Sequence, residues 1–391
     1  MKLRHLHLAF CLSAGIAIAL SPAAIYGQGA PAAQPPRVSG LSVSEVSVAP
    51  KVFRPASGEK VDIRFRCSEP ARVNVRIFDP QMRLIRELLA DNPGGQGLVK
   101  WDGRDERGVV APDEAYFFTI DAVGYKGNAG FYDPTVTSGG ELFKPENLRY
   151  DANARTVRFD LPKDARVNVR VGVASGGPLL RNILCAAPES AGEVAAPWDG
   201  LDESGKIDIA GGQGFKLAAE AVTLPDNSIF VVGNAEGGDY LDYLLKGLAE
   251  RERPKKMERP SFQSSVESRN EQFMQQYGLR PVQMVPEPRF RMEFPGALRA
   301  TAEGVPVVRG KVQARISLDD RIKPLMTEMR YEILLFVDNR FVTEMEEGRS
   351  PFNLQWDSSS MPNGEHIVTV NIATITGQLG AGSVKVVVEN Q

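Results

Sequence analysis

The sequence predicts an all-β protein of three β-sandwich domains in tandem, with a partly helical connector before the last domain. Short segments alternate apolar and polar residues with a period of two, which is the pattern of half-buried antiparallel strands. Glycine and proline account for 37 and 27 of the 391 residues, slightly more than average, which favours turn-rich β structure. A third observation is a tandem repeat.

The repeat occupies most of the first half of the chain. Identical residues ARVNVR occur at 71–76 and again at 165–170, each within a stretch of alternating strands. Two more pairs of strings align in the same order: RLIRELLADNP at 83–93 with PLLRNILCAAP at 178–188, and WDGRDERG at 101–108 with WDGLDESG at 198–205. Chance identity at several anchors in one order is implausible, so we expect two sister domains.

These patterns divide the chain into six predicted segments. The segments are a signal peptide at 1–27, a flexible linker at 28–40, a first sandwich at 41–138, a diverged second copy at 139–235, a charged and proline-rich connector with short helices at 236–288, and a third sandwich at 289–391.

The N-terminus has the features of a secretory signal peptide. Lys2 and Arg4 precede the uncharged apolar run 8–20, and cleavage is expected near Gly27. An N-terminal membrane anchor is the alternative. Export predicts a periplasmic, extracellular or cell-surface location, with no membrane span in the mature chain because no later segment is long and apolar enough.

Composition after cleavage argues against most catalytic chemistry. Removing Lys2 and Arg4 lowers the basic count from 46 to 44, against 49 acidic residues, which gives no support for nucleic-acid binding. One histidine remains, His366, together with Cys67 and Cys185. Because this set is too small for a His- or Cys-rich metal site or a usual nucleophile–base pair, we expect no enzyme activity and no cofactor.

The first copy carries a longer pattern that is found in a known family. It reads E-P-A-R-V-x-V-R-[IV]-x-D, then R-L-I-R-x-L, W-D-G-R-D-x-x-G and P-D-x-A-Y-F-F. This resembles the Ig-like domain of the flagellar hook-capping (FlgD-type) family, which also occurs on secreted and cell-surface bacterial proteins. The resemblance implies an Ig-like or FnIII-like sandwich and conveys little about function. The second copy has Gly211-Gly212 where the first has a Pro-Asp turn.

The last hundred residues resemble a bacterial Ig-like module of another type. A strand at 331–337 runs into an Asp-Asn turn, and P-F-x-L-x-W-D and P-N-G-E-H strings follow. Each predicted domain therefore has one tryptophan before a W-D turn, namely Trp101, Trp198 and Trp356. We expect each of them to fill the core of its own sandwich.

The W-D-G loops are weak candidates for calcium sites. Asp102 and Asp105 in the first copy, and Asp199 and Asp202 in the second, supply the hard oxygen ligands that Ca²⁺ prefers. Their spacing does not match the alternation of an EF-hand loop. Aspartate also accepts hydrogen bonds from its own turn, and we favour that structural role.

Two further patterns have a simple interpretation and an alternative. Cys67 and Cys185 fall at non-equivalent positions of different domains, which favours thiols over a disulfide.

Arginines such as Arg64, Arg76 and Arg170 alternate with apolar residues along the predicted strands. We expect a solvated face with ion pairs, and a basic docking stripe is the alternative.

The connector contains an amphipathic helix predicted over residues 239–253. Its apolar stripe has i, i+3, i+4 and i+7 spacing and consists of Leu241, Leu244, Leu245 and Leu248. The stripe either packs on a neighbouring sandwich or binds a partner.

Together these features predict a secreted or periplasmic, non-catalytic structural or adaptor protein. Its partners would be other proteins of a cell-envelope or surface assembly, bound through sandwich edges and loops. The alternative is a glycan-binding protein or accessory module of an exported carbohydrate-active system. The sequence does not specify an oligomeric state.

Overall fold

The computed structural model describes residues 40–92, 95–174, 176–212, 214–234, 239–251, 287–327, 330–374 and 377–390. The expected signal peptide, nearly all of the linker and most of the connector lie outside the described residues. The described chain forms three β-sandwiches, so the all-β fold class is confirmed.

The first sandwich pairs a three-stranded sheet with a six-stranded sheet. Its elements are β1 (Val43–Ala49), β2 (Val52–Phe53), a 3₁₀ turn (Pro55–Ser57), β3 (Val61–Cys67), β4 (Ala71–Phe78), β5 (Leu84–Asn92), β6 (Gln96–Trp101), β7 (Glu114–Gly124), β8 (Ala129–Tyr132), a second 3₁₀ turn (Pro134–Val136) and the distant β16 (Ser228–Val231). The strand orders are β1-β3-β6 and β2-β16-β7-β4-β5, with β8 also beside β7.

The second sandwich repeats this plan with fewer strands. Its elements are β9 (Leu142–Phe143), β10 (Glu146–Asp151), β11 (Thr156–Leu161), β12 (Ala165–Val173), β13 (Leu179–Glu189), β14 (Gly192–Pro197) and β15 (Phe215–Thr223). The sheets have the orders β10-β11-β14 and β13-β12-β15-β9, so β10 to β14 correspond to β1 and β3 to β6 of the first copy.

Helix α1 (Tyr240–Arg251) precedes the third sandwich. The remaining elements are β17 (Phe290–Glu293), β18 (Arg299–Ala300), β19 (Pro306–Val308), β20 (Lys311–Leu318), the single-turn helix α2 (Lys323–Met326), β21 (Tyr331–Val337), β22 (Arg340–Met345), β23 (Phe352–Asp357), β24 (Gly364–Thr374) and β25 (Leu379–Val388). The sheets have the orders β17-β20-β23 and β18-β19-β25-β24-β21-β22.

Alternation along the strands places the core as the sequence predicts. On β3, Ile63 and Phe65 are buried between the sheets, whereas Arg64 points to the opposite, solvated face. The same period of two repeats on β11, where Val157 and Phe159 are fully buried. Each sandwich therefore has its own contiguous apolar core.

Strand β16 departs from the predicted domain boundary. It lies inside 139–235, the range expected for the second sandwich, but pairs antiparallel with β7 and parallel with β2 of the first. The Phe230 N–H donates to the Lys51 carbonyl at 2.8 Å, and Ile229 and Val231 enter the first core. Because β16 satisfies backbone groups of a sheet far back in the chain, the first sandwich is discontinuous in sequence.

The tryptophans occupy the predicted places. Trp101 and Trp198 are buried in the first and second cores, and Trp356 is buried in the third. The Trp101 indole N–H donates to the Arg104 carbonyl at 3.0 Å, and the equivalent bond from Trp198 to Leu201 is 2.9 Å. Each of these two rings therefore holds its own W-D-G turn against the core.

Helix α1 begins at Tyr240, one residue after the start of the predicted 239–253, and is described as far as Arg251; residues 252 and 253 lie outside the described residues. Leu241 and Leu244 belong to the core of the third sandwich, and Leu245 packs against it. The Leu248 side chain lies outside the described residues. The structure thus shows the packed alternative for the leucines it describes. Within the described ranges, no helix is long and apolar enough to cross a bilayer.

Ile229→Ala tests the discontinuous first sandwich. Removing this fully buried side chain from β16 should destabilise the first sandwich by about 2–5 kcal/mol, because a cavity opens in its core. Hydrogen exchange of peptides from β4 and β7 measures this loss. Leu142→Ala, at a side chain that is 48% exposed, is the control. Faster exchange confined to β11 and β12 would contradict the assignment.

Candidate functional site

The W-D-G loops use their aspartates as acceptors for the loop itself. The buried Asp105 carboxylate accepts hydrogen bonds from the backbone N–H groups of Arg107 at 2.9 Å and Val109 at 3.0 Å, and from the Arg107 guanidinium. In the second copy, the Asp202 carboxylate accepts from the Ser204 hydroxyl at 2.7 Å. The oxygens that calcium would need are therefore bonded to donors of the same turn.

The other two candidate calcium ligands have the same role. Asp102 accepts from the Arg104 N–H at 3.1 Å, and Asp199 accepts from the Leu201 N–H at 3.0 Å. In the part of the chain that the structure describes, no group of three or more His, Cys, Asp or Glu residues is arranged to hold a metal ion. The geometry supports the structural interpretation of all four aspartates.

Asp105 also anchors helix α1. The Tyr243 hydroxyl donates to Asp105 Oδ2 at 3.0 Å, and its ring lies 5.9 Å from the Arg83 guanidinium and 5.6 Å from that of Arg107. Burial and the neighbouring Asp105 charge raise the pKa of Tyr243 far above its ordinary value, so the hydroxyl stays protonated. One tyrosine thus attaches the helix through a charge-assisted hydrogen bond and cation–π contacts.

The opposite side of α1 is fixed to the third sandwich. Besides the buried leucines, the Arg321 guanidinium binds Asp239 at 2.7 Å and Asp242 at 2.8 Å. The helix therefore lies between the first and third sandwiches and contacts both.

Polar groups join the second sandwich to the third. The Asn371 side chain bonds both backbone groups of Leu179: it accepts from the N–H and donates to the carbonyl, each at 2.8 Å. The Asn182 Nδ2 group donates to the Leu379 carbonyl at 2.6 Å and to Glu287 Oε1 at 2.9 Å. Leu179 and Leu379 also share a small apolar cluster, so this junction is specific and mostly polar.

Glu287 is a buried acid at this junction. Burial, followed by the nearby negative charge of Glu203, raises its pKa to about 7, whereas Asn182, Arg289 and Arg181 lower it in part. A carboxyl group with such a pKa changes its charge near neutral pH.

The two cysteines are not joined by a disulfide. Cys67 is buried on β3 of the first sandwich, whereas Cys185 lies on β13 of the second. Burial, and then the Glu287 charge, raise the pKa of the Cys185 thiol to about 11, so it remains protonated. The preferred thiol interpretation matches this arrangement.

A cavity of about 300 Å³ lies where the three sandwiches and α1 meet. Its walls include Glu114 of the first sandwich, Cys185 of the second, Tyr240 of α1, and Glu287 and Arg321 on the side of the third. The junction therefore brings together residues from distant parts of the chain.

Two arginines of the expected solvated face are buried instead. Arg76 binds Glu87 at 3.0 Å and Asp121 at 2.8 Å, and is 3% exposed. The equivalent Arg170 binds Glu220 at 3.0 Å and also donates to the Gly377 carbonyl of the third sandwich at 3.2 Å. The outer sheet faces are consequently ordered by internal ion pairs, and neither arginine is available as part of a basic stripe.

An exposed apolar pair lies on the outer face of the first sandwich. One row across β5, β4, β7 and β8 consists of Leu89, Asn74, Asp121 and Phe131. Leu89 is 81% exposed and Phe131 is 53% exposed, and three strand spacings separate them, about 14 Å. The buried Asn74 Oδ1 accepts no hydrogen bond from the described residues. We call this set the outer row.

His366 is held by two acceptors. Its Nδ1 lies 2.6 Å from Asp338 Oδ2 and its Nε2 lies 2.9 Å from the Pro362 carbonyl. Burial opposes the charged imidazolium, but these two acceptors outweigh burial and raise the pKa of His366. Only the doubly protonated ring donates to both partners, which indicates a structural role at the Asp-Asn turn.

Sequence reasoning named some of these residues and missed others. The leucines of α1 are candidates for partner binding from the sequence, yet Leu241 and Leu244 are core residues and Leu245 packs against the core. Tyr243 was missed, although Tyr240 and Tyr243 at i, i+3 beside the leucine stripe indicate a second contact face. Glu287 and the outer row had no local signal, since both depend on pairing between distant segments.

Comparisons with known proteins give no family. No family model and no curated protein matches the chain. Among solved structures of low similarity is a tandem-repeat region of a large adhesion protein, which is 11% identical, covers 90% of this chain and 74% of its own, and has a TM-score of 0.20. Another is a bacterial ice-binding adhesin, which is 10% identical, covers 90% of this chain and 98% of its own, and has a TM-score of 0.18. An endo-β-1,4-mannanase from Thermotoga petrophila matches at 16% identity over 33% of this chain, which spans 25% of that enzyme, with a TM-score of 0.19.

Tyr243→Phe tests the attachment of α1. Loss of a hydrogen bond to a charged carboxylate should lower the free energy of unfolding by about 1.5–3 kcal/mol, measured by urea denaturation. Tyr125→Phe, at a ring that is 61% exposed, is the matched control and should have little effect. Equal stability of the two variants would show that the Tyr243 bond does not hold the helix.

His366→Gln tests the charged imidazole. Because the folded pKa is raised above the unfolded value, the stabilisation is fully present below the unfolded pKa of about 6.5 and is lost as pH rises through the folded pKa. The variant should therefore lose more unfolding free energy, relative to the original chain, at pH 5.5 than at pH 9. An equal loss at both pH values would exclude this account.

Proposed function

We propose that this chain is a secreted or periplasmic, non-catalytic adaptor that binds another protein in a cell-envelope or surface assembly. The observation that carries the proposal is the outer row, where Leu89 and Phe131 leave large apolar side chains in solvent. Large apolar side chains exposed on one ordered sheet face are a feature of protein-binding surfaces.

The chemistry of the outer row favours a protein partner. Burying Leu89 and Phe131 would each contribute about 1.5–3 kcal/mol. The Arg76 ion pairs hold Asp121 within the row, so the surface is preorganised.

The compartment and the module type belong to the same proposal. The N-terminal apolar run supports export, and the W-D-G and A-R-V-N-V-R strings support descent from the FlgD-type Ig-like domain. In this proposal the first two sandwiches supply a binding face, and the third, attached through α1, extends the same protein. The formal net charge of −3 gives no support for a nucleic-acid partner.

Glycan binding is the second candidate. Tyr125, in the turn between β7 and β8, is 61% exposed and lies at the end of the strands that carry Phe131. Exposed aromatic rings stack on sugars, so these two residues favour a glycan, whereas Leu89 favours a protein.

Capture from envelope extracts, beside a glycan array, separates the candidates. We expect the mature chain to retain a protein partner, and the double variant L89E/F131E to retain at least about tenfold less, because two charges would be buried in the interface. Leu298→Glu, at an exposed leucine of the third sandwich, is the matched control. Glycan binding without a protein partner, lost in Tyr125→Ala, would replace the adaptor proposal.

A further inference from the structure

The contact between the second and third sandwiches contains an acid whose charge is poorly compensated. Glu287 is 8% exposed, and its neighbour Arg289 is 3.7 Å away and 69% exposed. Arg181 is directed elsewhere, to the Asp202 carbonyl at 3.2 Å and to Glu203 at 3.7 Å. Neither arginine makes a close hydrogen bond to Glu287 in the described structure.

The charged and titratable groups around Glu287 come from every element packed on it. They are Arg181, Cys185 and Glu203 of the second sandwich, Arg289 of its own segment, and, lining the same cavity, Glu114, Asp239, Tyr240, Asp319 and Arg321. Asp239 is paired with Arg321, and Glu114 is paired with Arg166. Glu203, although 3.7 Å from Arg181, is the acidic neighbour whose charge raises the pKa of Glu287 most.

The Asn182 side chain next to Glu287 lacks a hydrogen-bond donor for its oxygen. Its Nδ2 group donates to Glu287 Oε1 and to the Leu379 carbonyl, whereas its buried Oδ1 accepts nothing from the described residues. A protonated Glu287 has an O–H to donate, and an ionised Glu287 has none. A carboxylic acid beside a primary amide pairs with it through two hydrogen bonds, one in each direction.

We propose that Glu287 is a pH-sensitive latch between the second and third sandwiches, closed when its carboxyl is protonated and loosened when the proton leaves. In the closed state the acid donates to Asn182 Oδ1 and accepts from Asn182 Nδ2. In the ionised state a negative charge, paired only at 3.7 Å with the exposed Arg289, faces Glu203 in a buried site, which costs free energy unless the contact opens.

The direction of the pH dependence follows from the raised pKa. For an acid whose folded pKa of about 7 exceeds its ordinary value of 4.5, the contribution to the closed state is fully present below the ordinary value. It is lost as pH rises through about 7. Mild acid should therefore close this contact and mild alkali should open it.

Hydrogen exchange at the Leu179 amide tests the latch in the full chain. This N–H donates to Asn371 Oδ1 across the junction, so it reports opening directly. After correction for the intrinsic exchange rate, we expect the protection factor of the Leu179 amide to fall by about tenfold or more between pH 5.5 and pH 8.5. A difference of one pKa unit between the closed and open states changes their equilibrium by about tenfold. The Ile120 amide of the first sandwich reports global unfolding and should not change in parallel.

Three variants make the test specific. Glu287→Gln keeps a neutral donor and acceptor at every pH and should abolish the transition at Leu179. Glu203→Gln removes the repelling charge and should move the midpoint to lower pH. Glu293→Gln, an exposed acid on β17, should change nothing. A flat profile in the original chain, an unchanged transition in Glu287→Gln, or an unmoved midpoint in Glu203→Gln would each overturn the proposal.

Discussion

The pairing of β16 with β7 and β2 is the constraint on which the arrangement of the molecule depends. After the second sandwich is complete, the chain returns to the first sheet and contributes four buried residues, Ser228 to Val231. A ladder of backbone hydrogen bonds fixes position and direction together, so the first sandwich cannot be completed without residues beyond the second. The return also sets where α1 begins, since only residues 232–239 separate the two. The third sandwich then docks on α1.

The two sister sandwiches show how one scaffold acquires different surfaces. In both W-D-G loops the tryptophan indole N–H donates to the backbone carbonyl three residues on, and the first aspartate accepts from the N–H of that same residue. The outer sheet faces of the two copies make different contacts. Arg76 is used internally, whereas Arg170 reaches Gly377 of the third sandwich. At the position of Glu87 the second copy has Asn182, an amide that donates to a carbonyl of its neighbour. The face that is self-contained in the first sandwich is therefore part of a domain junction in the second.

The sequence predicts what is local and periodic in this protein. Alternating residues gave the strands of both copies, a leucine stripe gave α1, and the W-D strings located the tryptophans. The sequence around β16 does not indicate the sheet in which it pairs, because a short apolar segment predicts a strand but not the partner of that strand. The burial of Arg76 and Glu287 was missed for a related reason. Arginine and glutamate are usually exposed in folded proteins, and only the packing of distant elements removes these two side chains from solvent.

The two junctions differ in the physics that holds them. Strand pairing and apolar burial join β16 to the first sandwich, and neither term changes with pH or is screened by salt. Side-chain amides, one carboxyl and a small leucine cluster join the second sandwich to the third. Contacts of that kind carry less apolar burial and lie toward the low end of local stability, where a single protonation changes the balance. The proposed latch therefore acts on the contact between the second and third sandwiches and leaves the pairing of β16 with the first sandwich unchanged.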